Sequence, residues 1–267
     1  TITGGYVYAY SDLGTAIGGG SSKTLTGGNA NITISGGQVI AKSGQGAGIG
    51  GGSSRTGGGN IVGNSYNGGT ATINISGNPI IRTGSIGGGN TGDGNGKIGS
   101  ANIEISGGDI QAQFVMAAGA GTQPSFTMNG GTIRNSNTKD NEYIHIQKNG
   151  GAVYLEDGTF TMSNGKILNC TAVKEADVLS GYGGAVYIKG LKNPTFTMNG
   201  GEISNCTSNA DGGAIYVAGN DTNITGSTFL RCLASNALKG EGGAIYITGL
   251  NTTITSSEFM NCSAPDN

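Results

Sequence analysis

The sequence Gly-Gly-Ala-Val-Tyr-Leu at 150–155 returns three times further along the chain. The copies begin at Gly183, Gly212 and Gly242, after steps of 33, 29 and 30 residues. Self-similarity at such a period is typical of solenoids, in which each repeat contacts mainly its neighbours. The period therefore constrains the fold strongly, because no single repeat is long enough to bury a core of its own.

A second motif, of the type Ile-Thr-Ile-Ser-Gly-Gly or Phe-Thr-Met-Asn-Gly-Gly, is interleaved with the first. Its nine copies begin at residues 2, 32, 73, 103, 126, 160, 196, 224 and 254. Alternation of apolar and polar residues predicts strands with one buried face. Gly-Gly and Asn-Gly are also hairpin signals, but the sustained period favours a bend within one coil, with Gly at positive φ.

Together the two motifs predict an all-β fold, a right-handed parallel β-helix of about eight to nine coils with three short strands per coil. In residues 1–121, Ile-Gly-Gly-Gly segments take the place that Gly-Gly-Ala segments have in residues 122–267. Residues 117–121 are interpreted as a degenerate copy of the Ile-Gly-Gly-Gly segment. The first part has long Gly-rich loops and the second has tighter coils. No linker separates them, so we predict one continuous domain over 1–267, cut from a longer secreted protein.

Composition argues against nucleic-acid binding and against a membrane-spanning segment. The net charge is −2, from 14 Lys and Arg against 16 Asp and Glu, and the basic residues form no cluster. We therefore predict no nucleic-acid partner. No apolar run approaches the roughly 18 residues of a membrane-spanning helix, so we predict no membrane span in this chain.

Stacking in register converts each repeated side chain into a column. The cysteines form one such column: Cys170, Cys206, Cys232 and Cys262. They are interpreted either as buried thiols or as disulfides between neighbouring coils, Cys170–Cys206 and Cys232–Cys262. A second column, interpreted as a structural amide ladder, contains Asn135, Asn169, Asn205 and Asn261, with Arg231 interrupting it.

Two further columns are candidate binding features. Alternation places Val153 and Leu155 on one face of their strand and Tyr154 on the other with Ala152. It thus predicts an exposed stripe of Tyr154, Tyr187, Tyr216 and Tyr246. Such a stripe suits a glycan or protein ligand, although the rings could instead cover neighbouring strands or lie under loops. Asp211 and Glu241 each precede a Gly-Gly-Ala segment and form a candidate Ca²⁺ site that would need loop carbonyls as further ligands; we predict no other cofactor.

The sequence gives little sign of catalysis. Glycoside hydrolysis needs paired carboxylates that face one cleft, but the acidic residues are scattered along the chain. The single histidine, His145, alternates with Ile and is interpreted as incidental. We therefore predict a non-enzymatic protein, with a polysaccharide lyase or glycoside hydrolase as the rival interpretation.

The Gly-Gly-Ala-Ile/Val and Phe-x-x-Asn-like segments over 122–267 resemble the repeats of chlamydial polymorphic outer-membrane proteins. They also look like adhesin-like β-helical surface proteins of gut and rumen bacteria and archaea. The Ala-Gly-Ile-Gly-Gly-Gly segment at 47–52 is similar to Gly-rich repeats of bacterial cell-surface proteins. One departure is Cys in place of Asn in the Phe-x-x-Asn position. The resemblance implies a secreted or cell-surface adhesin or stalk, and open coil ends add the alternative of a fibre that stacks head to tail on itself.

Overall fold

The computed structural model describes residues 1–22, 26–44, 46–54, 67–89, 98–117, 123–135, 149–173, 180–190, 194–235 and 240–265. These residues form an all-β arrangement without helices, consistent with a β-helix or solenoid. Within the described ranges, no helix has the length and apolar character needed to cross a membrane.

In chain order the strands are β1 Tyr6–Ser11, β2 Ile17–Gly18, β3 Ala30–Ile34, β4 Gln38–Ser43, β5 Ile49–Gly50, β6 Ala71–Ile75, β7 Ile80–Gly87, β8 Ala101–Ala117, β9 Ser125–Arg134, β10 Val153–Glu156, β11 Thr159–Leu168, β12 Thr171–Ala172, β13 Val186–Lys189, β14 Thr195–Met198, β15 Glu202–Ser204, β16 Thr207–Ser208, β17 Ile215–Ala218, β18 Thr222–Thr225, β19 Thr228–Leu230, β20 Leu233–Ala234, β21 Ile245–Ile247, β22 Thr253–Thr255 and β23 Glu258–Met260. Most strands have two to six residues, whereas β7, β8, β9 and β11 have 8 to 17.

Each strand pairs in parallel with the strand one repeat further on. Ile32 is in register with Ile73, and Ile73 with Ile103. The same column continues through Phe126 to Phe160. Every described pairing between strands is parallel, so the prediction of bends rather than hairpins is confirmed for this part of the chain.

Two details differ from the sequence prediction. Val115 pairs with both Ile86 and Val153, so the counterpart of the Ile-Gly-Gly segment is 114–117 rather than 117–121. Residues 118–121 lie outside the described ranges. In addition, β12, β16 and β20 form a separate three-stranded sheet. Two of these repeats, with β13–β16 and β17–β20, therefore have four short strands instead of three.

The core is a set of stacked apolar columns. The inward residues of the Ile-Thr-Ile strands, such as Ile34 and Ile75, are almost fully buried. From residue 126 onward the column becomes aromatic, and the rings of Phe126, Phe160 and Phe196 stack at centroid distances of 5.2 and 4.7 Å. The aromatic stack ends where Phe196 pairs with Thr222, whose buried hydroxyl oxygen has no hydrogen-bond partner.

A ladder of glycine peptide groups joins the stems of the Gly-rich insertions in the first part of the chain. We call it the glycine ladder. Its backbone N–H···O distances are 2.8–2.9 Å, and it runs through Gly20, Gly28, Gly52, Gly69, Gly89 and Gly99. Glycine is required beside it, since a Cβ on Gly19 would lie 1.9 Å from the carbonyl oxygen of Gly28. The absence of side chains thus lets two chain segments per repeat approach within backbone hydrogen-bonding distance.

Candidate functional site

The Gly-Gly-Ala sequence is explained by the backbone just before each tyrosine strand. Gly183 has φ of 63°, in the left-handed region that favours glycine. A Cβ on Gly184 would lie 2.1 Å from the carbonyl oxygen of Gly213. Ala152 is fully buried in the same cluster as Val153, so it does not share the face of Tyr154 as the alternation predicted. The turn made by the two glycines breaks strict alternation at this point.

The four predicted tyrosines form a stacked column. Tyr154 pairs in register with Tyr187, and Tyr216 pairs with both Tyr187 and Tyr246. The ring centroids are 5.6, 5.1 and 5.3 Å apart, and the interplanar angles are 21–24°. The prediction of exposure is wrong for Tyr154 and Tyr187, which are only 4% and 8% exposed. Tyr216 and Tyr246 remain partly exposed.

A fifth tyrosine, Tyr182, packs against the side of the column. Its ring centroid lies 4.9 Å from that of Tyr216 and 6.3 Å from that of Tyr187, with tilted planes. Its backbone N–H donates to Oδ1 of Asn149 at 3.0 Å. Sequence reasoning missed Tyr182, although Tyr182 precedes its Gly-Gly pair just as Asp211 and Glu241 precede theirs. Aligning all four copies at this position would have found it.

The structure brings the two sequence-predicted features together. Asp211 and Glu241 occupy the column that contains Tyr182, because the carbonyl oxygen of each of these three residues accepts the N–H of the first glycine in the preceding Gly-Gly-Ala copy. Tyr182 itself packs on the tyrosine stack. The backbone N–H of Glu241 donates to Oδ1 of Asp211 at 2.9 Å. Partial burial raises the pKa of Asp211, and the charge of Glu241 adds to this, against the opposing effect of that hydrogen bond. We name Tyr182, Tyr187, Tyr216, Tyr246, Asp211 and Glu241 the tyrosine–carboxylate cluster.

The tyrosine hydroxyls are held in their neutral form. Burial, and then the charge of Glu156, raise the pKa of Tyr154, whose hydroxyl donates to Glu156 at 3.2 Å. Burial also raises the pKa of Tyr216 and Tyr246. The charges of Glu241 and Asp211 raise the pKa of Tyr246 further, and the charge of Asp211 adds to the rise for Tyr216. Neutral phenols that lie near carboxylates can donate hydrogen bonds to a ligand, while the carboxylates can accept them.

The described residues give no support to a Ca²⁺ site at Asp211 and Glu241. Among them, no group of three His, Cys, Asp or Glu side chains is arranged to hold a metal ion. One oxygen of Asp211 already accepts a backbone N–H. Ca²⁺ needs six to eight oxygen ligands, so this pair alone falls well short.

The cysteine column consists of thiols, and none of the four cysteines forms a disulfide. The disulfide alternative therefore does not describe this structure. Cys170, Cys206 and Cys232 are buried, and Cys262 is partly buried. The thiol of Cys232 contacts the carbonyl oxygen of Ile203 in the preceding repeat at 3.6 Å. Burial raises the pKa of Cys232 to about 12, which keeps its sulfur protonated and chemically unreactive.

The asparagine column has a backbone role beyond its amide contacts. Asn135, Asn169, Asn205 and Asn261 all have φ between 52° and 55°. Asn169 donates from Nδ2 to Oδ1 of Asn135 at 3.3 Å. Asn adopts left-handed backbone angles more easily than most residues. The positive φ at this corner of each repeat therefore explains why Asn recurs there. Arg231 occupies the same corner at φ 51° without that advantage.

Arg231→Asn is expected to raise the free energy of unfolding by about 1 kcal/mol, because it removes the left-handed penalty of a long side chain. Urea unfolding followed by circular dichroism measures this. Asn205→Arg is the reciprocal control and should lower stability by a similar amount. A destabilised Arg231→Asn variant would contradict the explanation from backbone conformation.

Three of the other described carboxylates, Asp109, Glu202 and Glu156, are paired with cations. Asp109 pairs with Arg134 at 2.7 Å and with Arg82 at 3.3 Å, and the hydrogen bond from Arg134 chiefly lowers the pKa of Asp109. Glu202 pairs with Lys166 at 2.9 Å. Glu156 lies 3.6 Å from Lys189. His145 lies outside the described ranges.

Comparisons with known proteins found no matching family model, no matching curated protein and no matching solved structure.

Proposed function

We propose that this chain is a non-enzymatic adhesin or stalk, secreted or on the cell surface, that binds a surface glycan or protein through the tyrosine–carboxylate cluster. The architecture that we propose for it is one continuous right-handed parallel β-helix of about eight to nine coils, based on nine copies of the alternating motif. The repeat resemblance described above supports the extracellular location.

One observation carries the proposal. Partly exposed aromatic rings lie beside two carboxylates: Tyr216 and Tyr246 are on stacked strands, and Tyr182, Asp211 and Glu241 are in the segments that precede such strands. Aromatic rings provide apolar contact area at low entropic cost, and tyrosine adds a polar hydroxyl. Carboxylates supply acceptors for sugar hydroxyls or for the N–H groups of a protein. Parallel strands fix Tyr216 and Tyr246 before the ligand arrives, ring packing holds Tyr182 against Tyr216, and a hydrogen bond links Glu241 to Asp211. Such positioning reduces the cost of binding.

The stacking decides which parts of the rings a ligand can reach. The faces of Tyr187 and Tyr216 are covered by neighbouring rings about 5 Å away. A ligand of the column therefore meets ring edges and hydroxyls, together with the outer faces of Tyr182 and Tyr246. This geometry favours hydrogen bonding with limited stacking over a cage for a quaternary ammonium ion, since cation–π contacts need open ring faces.

The double variant Tyr216→Ala/Tyr246→Ala is expected to weaken binding by about 10- to 100-fold, as is usual for central aromatic contacts. The measurement is binding of the chain to a printed array of glycans and matrix proteins, followed by titration against the strongest hit. Tyr6→Ala/Tyr8→Ala is the matched control, because these tyrosines are 63% and 58% exposed and lie on β1. Equal loss in both variants, or no loss in the first, would reject the cluster as the binding site.

A self-assembling fibre is the second candidate, and exposed core side chains in the last described repeat favour it. Phe259 and Ile254 are 44% and 43% exposed, whereas Phe229 and Ile224, which precede them in the same columns, are fully buried. Head-to-tail stacking of a second copy would cover them. Sedimentation over a wide concentration range tests this, and a constant monomer mass rejects it for this chain. The described residues offer no comparable observation in favour of a lyase or hydrolase.

A further inference from the structure

A second surface differs from the tyrosine–carboxylate cluster in both place and chemistry. It consists of the outward residues of the Ile-Thr-Ile and Phe-Thr-Met strands. Two rows run across consecutive strands: Asn31, Thr72, Asn102, Ser125, Thr159 and Thr195, and beside them Thr33, Asn74, Glu104, Thr127, Thr161, Thr197, Asn223 and Thr253. We call these two rows the hydroxyl–amide face. Glu104 is its only ionisable residue.

The neutrality of this face is not a general property of the molecule. The next sheet column carries charged outward residues at comparable positions: Arg82, Asp109, Arg134, Lys166, Glu202 and Glu258. Ordinary solvation would allow charges on both surfaces equally. Instead, the charged side chains are concentrated on one surface, and the rows of the other carry hydroxyl and amide groups with Glu104 as the single charge.

Geometry makes the hydroxyl–amide face a regular array. Neighbouring strands are about 4.8 Å apart, and alternate residues along one strand are about 6.8 Å apart. The longer row crosses eight strands and therefore extends over about 34 Å. Its members are exposed or partly exposed, while the apolar residues between them, such as Ile73 and Phe160, are fully buried.

Contacts within and beside the rows hold the side chains in place. Ser125 donates to Oδ1 of Asn102 at 3.0 Å, and Thr195 donates to the hydroxyl of Thr159 at 3.3 Å. Two residues after Asn223 and Thr253, on the same side of β18 and β22, the hydroxyls of Thr225 and Thr255 are 3.1 Å apart. A face with fixed rotamers loses little entropy when it binds. Hydroxyls and amides both donate and accept hydrogen bonds, so the array can match a ligand that also does both.

The composition of the rows selects the class of ligand. A nucleic acid or another polyanion would need Lys or Arg, which the rows lack. A protein interface usually centres on aromatic or large apolar anchors, which they also lack. A neutral polymer that carries many hydroxyl groups needs neither basic residues nor large apolar anchors. We infer that the hydroxyl–amide face binds an extended, uncharged polysaccharide, such as a β-linked glucan or chitin, by hydrogen bonds spread over several strands.

Pelleting with microcrystalline cellulose and with chitin tests the inference on the whole chain. The triple variant Thr127→Val/Thr161→Val/Thr197→Val removes three neighbouring hydroxyls and keeps the β-branched shape. Retention on the polysaccharide is expected to fall about tenfold or more, because each lost hydrogen bond weakens association several-fold. Thr132→Val/Thr228→Val, on the charged surface, is the matched control and should bind like the unmodified chain.

A single Thr161→Lys variant keeps the test decisive if the triple variant folds poorly, as judged by circular dichroism. It should also lose retention, because an ammonium group at the centre of the row must be desolvated when the polymer binds. The inference is overturned if the unmodified chain is not retained on either polysaccharide, or if the folded row variants are retained like it. Loss only in Tyr216→Ala/Tyr246→Ala would also overturn it and would leave the proposed function standing.

Discussion

Phe196→Ala is expected to lower the free energy of unfolding by about 3–5 kcal/mol, the usual cost of removing a buried Phe from a core that cannot collapse around the cavity. Phe196 is fully buried, and its ring lies nearly parallel to that of Phe160 at 4.7 Å. On its other side it pairs with Thr222, which is too small to fill the space. In-register hydrogen bonds hold the neighbouring strands apart, so the cavity should persist.

Urea unfolding is the measurement for Phe196→Ala, and Phe259→Ala is its matched control. Phe259 also stacks on a neighbouring Phe, at 4.9 Å from Phe229, but it is 44% exposed. Its replacement should cost less than half as much, because less apolar surface returns to water. Equal losses in the two variants would show that ring stacking, rather than burial and cavity formation, determines the cost.

Gly19→Ala is expected to lower the free energy of unfolding by about 3 kcal/mol or more, at the upper end of the range for overpacking. Its Cβ would lie 1.9 Å from the carbonyl oxygen of Gly28 and 2.6 Å from the amide nitrogen of Gly52. Both contacts are with backbone atoms of the glycine ladder. No side chain can move away to relieve them, so the hydrogen bonds of the ladder must lengthen or break.

The adjacent residue provides the control for this prediction. A Cβ on Gly20 would meet no atom within 4 Å. Gly20→Ala should therefore leave stability unchanged or raise it slightly, because Ala restricts the unfolded chain. Thermal unfolding of the two variants side by side makes the comparison. A stable Gly19→Ala variant would mean that the glycine ladder contributes little to the fold.

The sequence predicted the parallel stacking because its periodic signals come from the core. Apolar residues at alternate positions, such as Ile32 and Ile34, had to face inward in every copy, and one register satisfies all copies at once. The glycine bends were predictable for the same reason. In contrast, the sequence could not predict that residues 114–117 are the counterpart of the Ile-Gly-Gly segments. The pairing of Val115 depends on the neighbouring strands and not on a local glycine signal.

The candidate site was only partly predictable. Alternation correctly separated Tyr154 from Val153 and Leu155, but alternation cannot tell an exposed face from a covered one. Burial of the tyrosines depends on ring-to-ring stacking and on Tyr182, which lies on the other side of the Gly-Gly turn from Tyr187. The left-handed backbone of the asparagine column was not predicted for a related reason, since an Asn column is compatible with both an amide ladder and a left-handed backbone.

The parallel pairing also has a mechanical consequence. The hydrogen bonds between neighbouring repeats connect one strand to the next along the stacking direction. Tension along that direction would load these bonds one repeat after another, as in peeling, rather than shearing many strands together. Each detached repeat of about 30 residues would add roughly 100 Å of extended chain. We therefore expect a molecule of this construction to yield in steps under load and to act as an extensible tether.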